Sequence, residues 1–248
     1  MICRWTLFCV VGAWLLSSIS PAPSQESHSW GYSGAIGPNH WSEVSATCGL
    51  GKAQSPINIL HAEKKPLPAI TFAYHSSPLK IINNGHTIQV NYAPGSSITV
   101  GDKTYELVQF HFHHLSETEI NSRRSPMELH VVHQDKDGNL AVVVVLLNEG
   151  HSNPMVNAVW SQLPQQEGQE IAPEHGEIDA LNLLPANHRY YTFPGSLTTP
   201  PCSENVTWLV LATPMTLSKE QVAKFAAIYP NNARPVQPLY NRAVLESE

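Results

Sequence analysis

Short runs of β-branched, aromatic and alternating residues fill most of the chain and restrict it to sheet-rich folds. Gly, Pro or Asn pairs separate many of these runs, which is typical of strands joined by turns. The 20 scattered prolines disfavour long helices, because proline lacks a backbone donor and clashes with the preceding turn. The predicted strands are Ile70–Tyr74, Leu79–Ile82, Thr87–Tyr92, Ser97–Val100, Tyr105–His113, Glu128–His133, Leu140–Leu147, Tyr190–Phe193 and Thr207–Ala212.

Other segments predict what surrounds these strands. The run Leu140–Leu147 is apolar throughout, which indicates a strand covered on both faces. Asn153 is suited to cap one helix, and Ser218 with Gln221 forms the capping-box pattern of a second. The segment Trp30–Gly51 is rich in Gly, Ser and aromatic residues and is predicted to be irregular. The chain is therefore predicted to be mainly β (α+β), with short peripheral helices.

The N-terminus has the pattern of an export signal. Arg4 gives it a positive start, and the apolar run Trp5–Leu16 is followed by small residues. A run of 12 residues is too short to span a bilayer. Cleavage after Ser20 and cleavage as late as Ser24 both fit. The sequence thus predicts a secreted or periplasmic protein with no stable membrane span after signal removal.

The remaining chain, residues 21–248, is predicted to be one domain, because no linker or repeat divides it. Once residues 1–20 are removed, 13 Lys and Arg face 20 Asp and Glu, a net charge of −7 with neutral histidine. No basic patch remains, which argues against a nucleic-acid partner. Cys48 and Cys202 are the two cysteines left, and in an oxidising compartment they predict one disulfide.

A histidine pair stands on one of the predicted strands. Alternate residues of a strand face the same side, so Gln109, His111 and His113 share one face, while Phe110 and Phe112 share the other. Two imidazoles placed in this way can chelate one metal ion.

A later strand offers a third imidazole. Glu128 and His130 share a face of that strand, and His130 completes a three-histidine set with His111 and His113 if the strands are neighbours. Three histidines suit Zn²⁺ and leave a fourth position open for water, as in catalytic sites. Gln109 and Glu128 each precede a candidate ligand by two residues and could accept the spare N–H of an imidazole.

A second metal interpretation also fits part of this pattern. His111, His113 and Glu117 match the first metal motif of cupins, in which Fe or Mn supports other chemistry. The second cupin motif carries glycines before its histidine, and the segment Pro126–His130 lacks them.

Several separated motifs together resemble the α-carbonic anhydrase family across nearly the whole of residues 21–248. The motifs are Trp30-Gly31-Tyr32, Gln54-Ser55-Pro56-Ile57-Asn58-Ile59, Asn83-Asn84-Gly85-His86, Gln109-Phe110-His111-Phe112-His113, Ser116-Glu117, Glu128-Leu129-His130-Val131-Val132-His133, Gly195-Ser196-Leu197-Thr198-Thr199-Pro200-Pro201 and Asn232-Ala233-Arg234-Pro235-Val236-Gln237-Pro238-Leu239. The resemblance implies a single domain on a large twisted, mostly antiparallel central sheet. It also implies a zinc enzyme that interconverts carbon dioxide and bicarbonate by attack of zinc-bound hydroxide.

The resemblance assigns roles to matching positions. The implied zinc ligands are His111, His113 and His130. Thr198 would accept a hydrogen bond from the hydroxide and donate its own proton to Glu117, because a carboxylate can only accept. Thr199 would line the same wall of the pocket.

Proton transfer and substrate binding are assigned in the same way. His86 would relay protons to solvent, helped by ordered water near Tyr32 and Asn84. The apolar wall for carbon dioxide would consist of Val132, Val142, Leu197, Val206 and Trp208. Cis peptide bonds are implied before Pro56 and Pro201.

The resemblance further implies inhibition by anions and sulfonamides, allows side activity on activated esters and leaves a homodimer open. Thr118, Phe193 and His114 replace residues commoner in the family, and loss of a histidine at 118 is expected to weaken support for Glu128. The alternative from another class is a catalytically silent binding module on the same fold. The intact histidine set with Thr198 argues against it.

Overall fold

The structure is a computed structural model that describes residues 29–248, so the predicted signal segment lies outside the described residues. Its strands are β1 (Asn58–Ile59), β2 (Glu63–Lys65), β3 (Ile70–Ala73), β4 (Ser77–Pro78), β5 (Lys80–Asn83), β6 (Ile88–Asn91), β7 (Ser97–Val100), β8 (Lys103–His113), β9 (Glu119–Ile120), β10 (Met127–Gln134), β11 (Leu140–Glu149), β12 (Glu170–Ile171), β13 (Glu177–Ile178), β14 (Tyr190–Ser196), β15 (Glu204–Leu211), β16 (Met215–Leu217) and β17 (Leu245–Ser247).

The helices are short and lie around the sheet. They are α1 (Trp41–Val44), α2 (Thr47–Leu50), α3 (Pro154–Trp160) and α4 (Lys219–Ala226), with 3₁₀ turns at Gly34–Ile36, Pro38–His40 and Ala180–Leu183. Among the described residues no helix is long and apolar enough to cross a membrane.

A 13-stranded sheet organises the molecule. Its main path runs β12-β5-β6-β8-β10-β11-β15-β14-β17-β2, with β7 also paired to β8, β3 to β7, and β16 to β11. Most neighbours are antiparallel; β11 pairs in parallel with β15 and β16, as does β17 with β2. The expected mainly β fold on a large central sheet is therefore confirmed.

The centre of this sheet places the histidines opposite one another. Strand β8 lies between β6 and β10 over its C-terminal half, and in the antiparallel register of β8 and β10, His111 faces His130 and His113 faces Glu128. The condition for a three-histidine set, that the two strands are neighbours, is thus met. Direct cross-strand partners lie close enough for their side chains to share one ligand.

Both faces of the central strands are covered. The larger apolar cluster includes Phe110, Phe112 and Leu129 on one face, where α3 and α4 pack. A smaller cluster on the other face includes Val142 and Trp208 beside the histidines. Residues 141–147 of β11 are buried, as its apolar run predicts, whereas Asn148 and Glu149 at its end are exposed.

The two predicted helix starts are confirmed. The Asn153 side chain accepts from the first backbone N–H groups of α3, and Ser218 forms a complete capping box with Gln221 at α4. The prediction that Trp30–Gly51 is irregular is wrong in part, because this segment contains α1, α2 and two 3₁₀ turns. Elements of three or four residues bury too few positions to leave a periodic pattern.

The disulfide between Cys48 and Cys202 is confirmed and joins α2 to the loop that follows β14. Trp41 and the two cysteines form a small buried cluster, against which Trp30 and Tyr32 pack. The bonds preceding Pro56 and Pro201 are cis, as implied by the family resemblance, and the His114–Leu115 bond is also cis.

A buried histidine on the face of the sheet away from the histidine set predicts a pH-dependent stability. His133 Nδ1 donates to Ala141 O at 3.3 Å, and the Tyr74 hydroxyl donates to Nε2 at 2.7 Å. Burial lowers the pKa of His133 to about 4, below its usual value of about 6.5 in an unfolded chain. The folded state therefore binds fewer protons than the unfolded state between these two pH values.

The contribution of His133 is fully present above pH ~6.5 and is lost as the pH falls toward about 4. By pH 5 we expect the loss to reach about 2 kcal/mol. Urea unfolding of the wild type and of His133→Gln at pH 7 and pH 5 measures it, since glutamine can still accept from Tyr74 but does not titrate. An identical pH dependence in both proteins would contradict this assignment.

Candidate metal centre and active-site cleft

Three imidazoles converge at the middle of the sheet. One ring nitrogen from each of His111, His113 and His130 lies within 4.8 Å of the other two. Among the described residues this is the one group of three or more potential metal-ligating side chains that meets so closely. His113 and His130 are buried and His111 is partly exposed, so the cluster opens on one side.

The hydrogen bonds of the other ring nitrogens fix which atoms are free. His111 Nδ1 donates to Gln109 Oε1 at 2.8 Å, and His113 Nδ1 donates to the backbone oxygen of Asn232 at 2.8 Å. His130 Nε2 donates to Glu128 Oε1 at 2.7 Å. The unprotonated nitrogens are therefore His111 Nε2, His113 Nε2 and His130 Nδ1. These atoms can donate lone pairs to a metal ion.

Electrostatics keeps the imidazoles neutral. Burial is the main cause that lowers the pKa of each of the three, and the neighbouring imidazoles lower the pKa of His111 and His130 further. Neutral imidazole is the form that binds metal. His113 Nε2 is buried without a hydrogen-bond partner, an arrangement that costs free energy unless a ligand satisfies the atom.

The donor set fits a metal ion. The site offers three neutral nitrogen donors, and the other ring nitrogen of each histidine is held by a hydrogen bond. One side of the set is open toward a cleft, which is typical of a catalytic rather than a structural zinc site. A fourth protein ligand would be expected in a structural site.

Glu128 is held by Thr118. The Thr118 backbone N–H donates to Oε2 at 2.7 Å and its hydroxyl donates to Oε1 at 2.8 Å. Burial is the main cause that raises the pKa of Glu128, and these bonds oppose it. Thr118 thus donates two hydrogen bonds to the Glu128 carboxylate, one from its backbone and one from its side chain. The expectation that Glu128 is held more weakly without a histidine at position 118 did not include the backbone donor.

Glu117 lies behind the histidines and is fully buried. Its Oε1 accepts from the backbone N–H of Arg234 at 2.8 Å, whereas Oε2 lacks a hydrogen-bond partner and lies 3.6 Å from His113 Nε2. Burial raises the pKa of Glu117 to about 8, with Glu128 adding to the rise; the Arg234 N–H and the nearby Thr198 hydroxyl lower it. A cation held by the histidines would lower it further.

The loop that carries Thr198 is tied at several points. Leu197 N–H donates to Ser203 O at 3.0 Å, and Cys202 N–H donates to Thr199 O at 2.8 Å. The Gln54 side chain donates to Cys202 O at 3.0 Å. These bonds, with the disulfide, place Thr198 and Thr199 at the rim of the histidine cluster.

A cleft leads from the histidines to solvent. Its walls include most of the predicted site residues: Tyr32, Asn84, His86, Gln109, His111, His113, His130, Val132, Val142, Leu197, Thr198, Thr199 and Trp208. Val206 is buried in the same apolar cluster as Val142 and Trp208 and is not among the residues that line the cleft. The apolar lining residues Val132, Val142 and Trp208 come from β10, β11 and β15, whereas the polar residues Asn84 and His86 come from the turn between β5 and β6.

The apolar wall depends on one close approach. The Trp208 indole N–H donates to Ser196 O at 3.1 Å, and Phe193 stacks on its ring with centroids 6.1 Å apart. A Cβ at Gly195 would overlap the Ser55 hydroxyl and would lie 2.5 Å from Trp208 Cδ1. Only glycine leaves room for the indole at this position. Phe193, which lacks the hydroxyl of a tyrosine, serves here as a packing surface.

His86 lines the cleft and is partly exposed. Its ring stacks on Trp30 with centroids 3.6 Å apart, and its backbone N–H donates to Asn84 Oδ1 at 3.0 Å. Burial lowers the pKa of His86, while Glu167 opposes the shift. Burial also raises the pKa of Tyr32 well above its usual value, with Glu117 a second cause, so its hydroxyl remains protonated.

Asn232 and Trp30 are among the residues of the site that were not assigned roles from the sequence. Asn232 is fully buried, and its backbone oxygen accepts from His113. Its side-chain oxygen accepts from the His114 N–H at 2.7 Å, and its side-chain nitrogen donates to Phe112 O and to His86 O, each at 3.0 Å. Trp30 supplies the surface beneath His86. Both lie in motifs that carry the family resemblance, but no spacing rule connects them to residues so distant in sequence.

Comparison with known proteins decides the family. The family model described as eukaryotic-type carbonic anhydrase matches residues 36–248. The chain belongs to the α-carbonic anhydrase family. A relative from Nostoc sp., named carbonic anhydrase, is 44% identical over 96% of this chain and 93% of its own length. The human protein named carbonic anhydrase 7 is 34% identical over 89% of this chain and 97% of its own length.

Solved α-carbonic anhydrase structures agree with the fold. The enzyme from Thermovibrio ammonificans, in complex with the inhibitor sulfanilamide, has a TM-score of 0.85 at 43% identity and covers 88% of this chain and 98% of its own. The Photobacterium profundum enzyme has a TM-score of 0.84 at 41% identity and covers 88% and 100%. The cupin-like interpretation is therefore wrong, and Glu117 stands outside the histidine set that it would have joined.

Proposed function

We propose that this carbonic anhydrase catalyses the reversible hydration of carbon dioxide to bicarbonate and a proton, with Zn²⁺ held by His111, His113 and His130. The observation that carries the proposal is that three neutral imidazoles converge on an open cleft. The second ring nitrogen of each imidazole is held by a hydrogen bond. An intact donor set of this kind opposes the alternative of a silent binding module.

The metal ion supplies one part of the chemistry. When bound, Zn²⁺ makes water acidic enough to provide hydroxide near neutral pH, a property established for carbonic anhydrases themselves. Every other contribution comes from residues of this chain.

Thr198 orients the attacking oxygen. Glu117 accepts from Arg234 through Oε1, which leaves Oε2 for the Thr198 hydroxyl. With its own proton directed to this carboxylate, the Thr198 oxygen can only accept, so it accepts a hydrogen bond from the attacking hydroxide. A lone pair of the attacking oxygen is then directed into the cleft.

Carbon dioxide is proposed to lie on the apolar wall. Val132, Val142, Leu197 and Trp208 line the cleft beside the histidines, and Thr199 borders the same space. A small apolar molecule displaces water from this surface at a favourable free energy, whereas the charged product does not gain from it. Val206 belongs to the same apolar cluster as Val142 and Trp208.

His86 is proposed to carry the released proton to solvent. His86 is a partly exposed residue of the cleft lining, and an imidazole in such a place can exchange protons with solvent. Burial lowers its pKa, which favours release of a proton once the ring has accepted it. Asn84 holds the turn through its bonds to the N–H groups of His86 and Thr87. The protonated Tyr32 hydroxyl can order water between the histidines and His86.

We expect His86→Ala to lower kcat by about tenfold or more and to leave kcat/KM nearly unchanged, because proton release follows hydration. Added imidazole should restore much of kcat by carrying the proton in solution. His61→Ala, which removes an exposed histidine outside the cleft, is the matched control. Equal losses in both kinetic parameters, without rescue by imidazole, would exclude His86 as the carrier.

The remaining proposals concern cellular context and ligands. Export through an N-terminal signal, to the periplasm or outside the cell, is supported by the disulfide, since such bonds persist in oxidising compartments. The mature protein would be a single catalytic domain from about residue 21 to residue 248. Sulfonamides and inorganic anions are proposed inhibitors, and activated esters are proposed side substrates for the same hydroxide.

A stopped-flow hydration assay with elemental analysis tests the proposed function. Protein with about one zinc per chain should catalyse hydration, lose activity with a chelator and regain it when Zn²⁺ is returned. Zinc-loaded, folded protein without hydration activity would favour the silent module. Iron or manganese at one per chain, with little zinc, would overturn the metal assignment.

A further inference from the structure

Arg234 connects two parts of the molecule that are far apart in sequence. Its backbone N–H donates to Glu117 Oε1 at 2.8 Å. Its guanidinium extends in the other direction, where NH1 donates to Gln54 Oε1 at 2.9 Å and to Ser55 O at 2.7 Å, and NH2 donates to Cys48 O at 3.0 Å. One residue thus links the buried carboxylate to the segment 48–55.

The burial of this guanidinium needs an explanation. Arg234 is 2% exposed, and its three acceptors are neutral oxygens. Its guanidinium also lies 5.6 Å from the Trp41 ring centroid. Taking a charge out of water is costly even when it is hydrogen-bonded, and apolar residues often replace such groups without loss of stability. A gain in stability alone is therefore a weak reason for a buried arginine here.

The geometry offers a functional reason. The planar, forked guanidinium makes three bonds in fixed directions, which leaves the Arg234 backbone little freedom to shift. The adjacent N–H is consequently aimed at Glu117 Oε1. Because that oxygen is engaged, Oε2 is the atom left facing His113 and available to Thr198.

The same segment also holds the Thr198 loop. Gln54 Nε2 donates to Cys202 O at 3.0 Å, and Cys48 is disulfide-bonded to Cys202. Segment 48–55 is therefore a common anchor, and Arg234 is its link to Glu117.

We propose that Arg234 is a positioning residue: its buried guanidinium, anchored on Cys48, Gln54 and Ser55, fixes the backbone N–H that orients Glu117 toward Thr198. The kinetic consequence rests on the proposed function, whereas the orientation of the backbone N–H does not. Lysine does not replace the fork, because its single ammonium cannot reach three acceptors spread over the segment with the same geometry.

Amide hydrogen exchange in Arg234→Lys tests the structural step without reference to activity. In the folded, zinc-loaded variant, protection of the amide at position 234 should fall by about tenfold or more relative to the wild type. The Cys202 amide, which donates to Thr199 O, and the amides of β10 and β11 serve as internal references and should change little. Unchanged protection at position 234 would overturn the proposal, whatever the activity of the enzyme.

A double-mutant cycle with Glu117→Gln tests the kinetic step. Arg234→Lys should lower kcat/KM for hydration about 10- to 100-fold in the wild-type background, because a small misplacement of an orienting group is costly. In the Glu117→Gln background the same change should cost less than about threefold, since the group through which it acts is already altered. Equal losses in both backgrounds would show a general structural effect and overturn the proposal.

If Arg234→Lys does not fold, Gln54→Met removes one acceptor of the guanidinium instead. Protection of the amide at position 234 should then fall more than that of the Cys202 amide. A loss confined to Cys202, or equal at both positions, would contradict the link through Arg234.

Discussion

His113→Ala is expected to abolish zinc binding and to reduce hydration activity by at least about three orders of magnitude, because the ion supplies the nucleophile near neutral pH. His113 Nε2 is a buried nitrogen with no protein hydrogen-bond partner, at the inner side of the histidine set. Its removal leaves two ligands and a cavity, and two imidazoles do not form a tetrahedral zinc site.

Elemental analysis of purified His113→Ala should find far less than one zinc per chain, and stopped-flow assays should find the activity of the chelated wild type. His133→Gln is the matched control, since His133 lies on β10 with His130 but hydrogen-bonds to Tyr74 on the other face of the sheet. It should keep both zinc and activity. One tightly bound zinc per chain in His113→Ala would refute the ligand assignment.

The histidine set illustrates what the sequence could predict. Strand alternation alone places His111 and His113 on one face, and in the structure β8 and β10 are neighbours, with His111 facing His130. This inference succeeds because the period of a strand is fixed by its backbone geometry. The helix starts at Asn153 and Ser218 were predictable for a similar reason, since each cap is formed by residues adjacent in sequence.

Other parts of the site were beyond such reasoning. Glu117 is oriented by Arg234, which is 117 residues away, and His113 donates to Asn232, which is 119 residues away. Contacts of this kind depend on how distant loops fold over the sheet, so they cannot be predicted from the periodicity of a local segment. The support that Thr118 gives Glu128 was underestimated, because a backbone N–H contributes to it and carries no mark in the sequence.

Loss of the Cys48–Cys202 disulfide is expected to lower the free energy of unfolding by as much as about 5 kcal/mol, the limit given by chain entropy for a loop of this length. The two cysteines are 154 residues apart and both are buried. For a domain of this size, such a loss corresponds to a fall in Tm of about 10–20 °C. The bond closes the largest part of the domain into one loop, so its removal gives the unfolded chain far more freedom.

Activity should be less affected than stability, because the loop beside Thr198 keeps other attachments. Gln54 still donates to Cys202 O, and Ser45 Oγ donates to Pro201 O at 2.9 Å. Urea unfolding of the double variant Cys48→Ala/Cys202→Ala, and of the wild type with and without dithiothreitol, measures the effect. The reduced wild type should match the double variant, which should itself be insensitive to the reductant. If the double variant unfolds at the same urea concentration as the oxidised wild type, the disulfide does not stabilise the domain, and hydrogen bonds such as those of Arg234, Gln54 and Ser55 would hold segment 48–55 to the site.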